Sequence, residues 1–146
     1  MGHVDNLILR MLDWARDKNK ELFVVSGVDP ISTGRVNQRK DRPEEAAVRL
    51  ARGMGIATRT PGRTWNGWKS LGKQGHERNH WVIERSDSLV AFWDGQSSGT
   101  ADAIDLAWKT GLRVTVYGPD GNKMDEESII RRMNGIILQY GRRPFA

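Results

Sequence analysis

Short apolar runs alternate along this chain with longer stretches whose apolar residues recur every three or four positions, and this alternation limits the fold more than any other feature. Val4, Leu7, Ile8, Met11, Leu12 and Ala15 share one helical face, which predicts a helix over 4–19. The run 22–25 is stopped by Ser26 and Gly27, as expected of a strand buried on both faces, and a polar loop follows over 29–42. Pro43 with Glu44 and Glu45 suits the first turn of a helix, where a missing N–H costs little and acids meet the positive end. Ala46, Ala47, Leu50, Ala51 and Met54 make its stripe, Gly55 its C-terminal stop, and 56–60 the next strand. Helix over 73–85, strand over 88–93 and a small-residue loop over 94–99 follow. Thr100 is then placed to cap a helix with Ala103, Ile104, Ala107 and Trp108 inside. Gly111 closes it, 112–117 is a strand, and 119–121 is a turn. A last helix carries Ile129, Ile130, Met133, Ile136, Ile137 and Tyr140, and the basic tail 141–146 is expected to fray. Strands alternating with helices predict an α/β fold: a Rossmann-like three-layer sandwich with a mostly parallel sheet of about four strands.

Length confines this pattern to one domain, since 146 residues bury a single core. The absence of cysteine excludes disulfides, thiolate metal sites and a cysteine nucleophile, and agrees with a cytoplasmic location. Apolar runs such as 89–93 are far shorter than the roughly 20 residues of a membrane span, so no membrane partner is expected. Charged residues interrupt the first helix from Asp5 onward, unlike a signal peptide. A surplus of +5 (23 Lys and Arg against 18 Asp and Glu) favours anionic partners, with ordinary solubility charge as the alternative.

Ligands of open parallel sheets bind at the carboxyl ends of strands, where helix N-termini present unpaired N–H groups. The best such place is Asp94-Gly95-Gln96-Ser97-Ser98-Gly99-Thr100. Gly95 and Gly99 let the backbone approach an anion, and Ser97, Ser98 and Thr100 add hydroxyl donors at the start of a helix. It is neither a Walker A loop nor a dinucleotide fingerprint, and a plain tight turn is the alternative. A second place is the glycine-rich stretch with Trp65 and Trp68, followed by Lys73, Arg78 and Asn79. There the indoles would either stack on a base or pack internally, and Lys73 and Arg78 would pair with phosphate. A third is His76-Glu77-Arg78-Asn79-His80, which spells the H-E-x-x-H of zinc hydrolases. So short a pattern recurs by chance, and a glycine lies just upstream. A third ligand would have to be a carboxylate such as Glu84, Asp87 or Asp94, none of which stands in a third-ligand motif. No metal or cofactor is therefore expected, and zinc on His76, Glu77 and His80 stands as an alternative.

The stretch Lys73-Gln74-Gly75-His76-Glu77-Arg78-Asn79, then 87–95, then Ser98-Gly99-Thr100, resembles the SLOG superfamily of Rossmann-like proteins, in particular its YspA and cpYpsA-related branch. In that branch a G-K-x-x-G-x-x-R-N segment opens one helix and a D-G or G-G-x-x-x-G-T loop follows the next strand. With a weaker match at Ser26 and Gly27, the resemblance covers about 22–117. It implies a nucleotide or nucleotide-derived ligand at the strand ends, bound by a sensor, a sequestering protein or a weak N-glycosidic hydrolase. Relatives include phosphoribohydrolases and the single-strand-binding DprA, so single-stranded nucleic acid is the alternative ligand. On this reading Gly95, Ser97, Ser98, Gly99 and Thr100 hold phosphate, and Arg78 supplies charge. Asn79 fixes loop geometry, Asp94 accepts from a ribose hydroxyl, and Ser26 and Gly27 form the facing wall.

Two departures qualify the carry-over. Phosphoribohydrolases carry a glutamate three residues after the loop threonine, where this chain has Ala103; Asp94 and Asp102 are the remaining catalytic candidates. Asp102 is one helical position away, about 100° of rotation. The first strand of relatives is also missing ahead of the first helix, and Asp41 stands in for an aspartate of their next loop. A rearranged sheet, or one completed by a second copy in a homodimer, is therefore expected.

Overall fold

A computed structural model describes residues 3–18, 23–25, 43–59, 71–138 and 141–145. The chain divides into two compact units, Met1–Asn66 and Gly67–Ala146.

In the first unit, α1 (His3–Lys18) buries Ile8 and Leu12 from the predicted face. Strand β1 (Phe23–Val25) runs parallel to β2 (Ala57–Arg59), with Phe23 opposite Ala57 and Val25 opposite Arg59. The connecting helix α2 (Pro43–Gly53) packs on both strands and against α1, an arrangement Arg49 reinforces by reaching Asp5 at 3.4 Å. Its stripe of Ala46, Leu50 and Ala51 is buried as the spacing predicts; Val48, outside the stripe, is buried as well. Gly55 adopts φ +75°, and the Ile56 amide donates back to the Ala51 carbonyl at 2.9 Å. That left-handed step ends the helix and turns the chain into β2. Val24 and Val25 are half-buried, so β1 is less enclosed than its composition suggests.

The second unit repeats the strand–helix–strand theme with longer elements. Helix α3 (Leu71–Glu84) precedes β3 (Ser88–Phe92), α4 (Ser98–Thr110), β4 (Arg113–Tyr117) and α5 (Glu126–Met133). β3 and β4 are parallel and in register from Ser88 opposite Arg113 to Phe92 opposite Tyr117. Alternation along β3 turns Ala91 toward the core while Val90 remains 39% exposed. The core gathers Ala91, Trp93, Ala101, Ile104, Val116, Ile129, Met133 and Leu138. Gly111, at φ +86°, closes α4 as expected, and the Leu112 amide donates to Ala107 at 2.9 Å.

Three expectations change. The described strands form two separate parallel pairs, and a four-stranded sheet is not seen among them. Helix α5 stops at Met133 although apolar spacing continues through Ile136 and Ile137, because Asn134-Gly135 tightens the chain into a turn in which Ile136 N–H donates to Met133. Ile137 is consequently exposed, and Tyr140 lies outside the described residues. Helix α4 begins at Ser98 with Ser97 as its N-cap residue, so Thr100 sits inside the first turn and does not cap it. Among the described residues no helix is long and apolar enough to cross a membrane.

Candidate functional site at the start of α4

The chain leaves β3 through Trp93, whose indole Nε1–H donates to the Ser97 carbonyl at 3.0 Å and pulls the loop across the strand end. Asp94 then folds over its own loop: Oδ1 accepts from the backbone N–H of Gln96 at 2.9 Å and of Ser97 at 2.7 Å. Those two bonds, Ser97's the stronger, hold the Asp94 carboxyl below the ordinary aspartate range. The expected anion cradle is thus partly filled by the protein's own carboxylate. Gln96 and Ser97 amides are occupied, and Asp94 stands as an ionised acceptor suited to a hydroxyl rather than to phosphate.

Donors remain one step further on. Ala101 is the first residue of the turn to find an intrahelical carbonyl, that of Ser97 at 3.1 Å. Helix geometry leaves the Ser98, Gly99 and Thr100 amides ahead of it without an intrahelical acceptor, at the positive end of the dipole. A cation that the sequence did not single out lies on the same loop, against Gly95. Gly95, at φ +81°, lies so close to Arg132 of α5 that a Cβ there would meet Nη1 at 2.9 Å. Any side chain would be strained at that dihedral and would also push the movable guanidinium aside.

Helix α3 supplies the other wall. Asn79 Nδ2 donates to the Gly99 carbonyl and to Asp102 Oδ2, both at 3.0 Å, joining the two segments of the family resemblance at one place. His76 Nδ1 lies 2.8 Å from the same Asp102 oxygen, and its Nε2 lies 3.1 Å from Nε2 of His80. Arg78 is half-buried on this helix. Trp81 is half-buried and not a core residue, with the Arg85 guanidinium 4.4 Å above its ring. Ser26, Gly27, Asp41, Trp65 and Trp68 lie outside the described residues, and Lys73 is described only as helical backbone.

Asp102 is fully buried, with both oxygens engaged: Oδ2 by His76 and Asn79, Oδ1 by Arg142. It therefore positions other side chains and has no oxygen left for a substrate. Arg142 also donates to Asp105 Oδ2 at 2.8 Å, and Asp105, equally buried, receives Lys109 at 2.9 Å and the Phe145 N–H at 2.9 Å. The tail expected to fray is thereby bolted to α4 over residues 141–145. Asp102 and Asp105 lie three positions apart on one helical face, which was the available signal for a bridging arginine.

Burial drives the Asp105 carboxyl upward, but the Phe145 N–H, Lys109 and Arg142 outweigh it and leave it below its ordinary value. A carboxyl lowered on folding stabilises above its unfolded pKa, about 3.9, and that contribution disappears as pH falls through the lower folded value. Urea titrations at successive pH values are expected to show stability dropping below about pH 4, with Asp105→Asn weaker at neutral pH and less acid-sensitive. An acid limb identical in the two proteins contradicts the assignment.

A surface hollow of about 640 Å³ is lined by Glu126, Ile130, Arg131 and Asn134, with no residue of the α4 start among its lining. It is open and unites no buried polar groups, so the helix terminus is the better candidate. Among the described residues no group of three or more His, Cys, Asp or Glu is placed to hold a metal ion. Comparison with protein-family models, curated proteins and solved structures gives no match.

Proposed function

We propose that the second unit binds a nucleotide-derived ligand through its phosphate at the start of α4. Each parallel pair with its connecting helix, β1-α2-β2 and β3-α4-β4, is the kind of unit from which Rossmann-like three-layer sandwiches are built, and we read the fold as a member of that class. The observation that carries the ligand reading is the Asn79 side chain, which ties α3 to Gly99 and Asp102 and so sets the two recognisable segments around one helix N-terminus. The amides of Ser98, Gly99 and Thr100 would hold phosphate, Arg132 would add charge, and the ionised Asp94 would accept from a ribose hydroxyl. Binding is favoured over turnover, because Ala103 replaces the glutamate of the hydrolases and Asp102 is committed inward.

A ligand that binds only the folded state raises the melting temperature, by the equivalent of about 2.7 kcal/mol at one hundred times its Kd. Melting curves with AMP, NAD, ADP-ribose and a single-stranded oligonucleotide are expected to show a shift of several degrees with at least one nucleotide. Gly99→Val, which places methyl groups where an anion approaches the helix, is expected to abolish it. No shift with any nucleotide, or an equal shift in the variant, refutes the assignment; a shift with the oligonucleotide alone establishes the nucleic-acid alternative.

A further inference from the structure

We infer that the outer face of α5 is a docking surface for a second copy of this chain, which lays its own α5 against it, antiparallel, across a two-fold axis. The nucleotide reading does not use this face. Helix α5 turns Ile129 and Met133 inward and leaves Glu126, Glu127, Ile130, Arg131 and Asn134 exposed. These exposed residues line one hollow of about 640 Å³. At about 100° per residue, Glu126, Ile130 and Asn134 form one ridge of the helix and Glu127 and Arg131 the ridge beside it. Ile130, 37% exposed, is the apolar centre of the patch.

Charge complementarity names the occupant. Glu126 and Glu127 stand in the first turn of α5 and Arg131 in its last. The helix dipole favours that order of charges but gives none of them a partner. Among the described residues, Glu126, Glu127 and Arg131 enter no ion pair within the chain. A patch that is negative at one end, apolar in the middle and positive at the other complements itself when reversed, which is what an isologous two-fold contact requires. With the axis level with residue 129, Glu127 lies opposite Arg131 of the second copy, and Arg131 opposite Glu127 of the second copy. The two Ile130 side chains are then offset by about 3 Å along the helices, close enough to pack side by side in the hollow. A polyanion would meet the two glutamates at one end of the patch, whereas a second copy matches both ends. Helix α5 has 8 residues, and a standard interface uses about 20–30 residues a side, so the contact is a weak one.

Sedimentation of the full chain without nucleotide, from about 5 to 500 µM, is expected to show a monomer–dimer equilibrium with a Kd on the order of 10–100 µM. Glu127→Arg and Arg131→Glu, each alone, are expected to weaken it at least tenfold, because like charges then face each other across the axis. An equimolar mixture of the two variants is expected to recover a dimer of about wild-type affinity, since the arginines of one copy meet the glutamates of the other. Ile130→Asp is expected to stay monomeric throughout. All three positions are exposed, so the variants should keep the fold, and melting temperatures close to wild type check this. A wild-type chain that is monomeric at the highest concentration leaves the face to a different protein and overturns the inference. So does a dimer that the substitutions leave unchanged, which places the contact elsewhere, or a mixture of the two charge variants that stays monomeric. None of these residues belongs to the proposed phosphate site, so either result is separate from the nucleotide titration.

Discussion

Arg142→Ala is expected to lower folding stability by about 3 kcal/mol, the order of magnitude for removing one partner from a buried ion pair. The arginine serves two fully buried carboxylates at once, Asp102 through Nη2 and Asp105 through Nη1. Removing it leaves Asp105 with Lys109 and the Phe145 amide, but takes the guanidinium from Asp102, which keeps His76 and Asn79. The guanidinium itself is held more firmly in its charged form. Burial works against that form, and bonds to Asp102 and Asp105 more than compensate. Arg142→Lys keeps the charge without the fork that spans two carboxylates, so it should recover only part of the loss. Urea denaturation of wild type and both variants measures this directly, and a loss below about 0.5 kcal/mol in Arg142→Ala, the size of an ordinary surface change, contradicts the account. The consequence reaches the candidate site. Without its anchor, Asp102 no longer holds His76 and Asn79 in fixed positions, so Arg142→Ala should also weaken nucleotide binding in protein that remains folded.

Trp93→Ala is expected to cost about 3–5 kcal/mol, the range for deleting a large buried aromatic side chain. Trp93 is 1% exposed and packs in the core cluster of the second unit, while its indole N–H reaches the Ser97 carbonyl. Packing and loop position are thus combined in one residue, and two substitutions separate them. Trp93→Phe retains much of the apolar volume and loses the bond to Ser97, worth about 1 kcal/mol plus a smaller cavity term. The phenylalanine variant should therefore fold stably yet bind nucleotide less well than wild type, because the loop between β3 and α4 is no longer pinned. Denaturation midpoints and nucleotide melting shifts on the two variants supply the comparison. Equal stability of Trp93→Ala and wild type would exclude the packing role.

Much of the second unit was legible in the sequence because its signals are local. Gly111 stops α4 where apolar periodicity ends, and 88–93 and 112–117 contain β3 and β4 to within one residue. Asn79 and Gly99 were marked by the family resemblance, and the structure brings them within a hydrogen bond. Other features escaped because they depend on competition between partners. Spacing along the chain does not show that Asp94 Oδ1 accepts from the Gln96 and Ser97 amides of its own loop. Helix α5 looked longer because spacing cannot show that Asn134-Gly135 favours a turn once Leu138 is buried.

The sequence by itself determined the order of strands and helices, the burial stripes of α1 and α2, and the small-residue loop between β3 and α4. These follow from periodicity and from residues with narrow backbone preferences, which act over a few positions of chain. Tertiary structure alone decided that Asp102 turns inward, that Arg142 crosses from the tail to span two carboxylates, that Arg132 lies on Gly95, and that His76 and His80 meet nitrogen to nitrogen under a buried carboxylate. The physical reason is burial. A carboxylate removed from water requires hydrogen-bonding partners within about 3 Å, and a partner 40 residues away becomes visible only when the chain has folded.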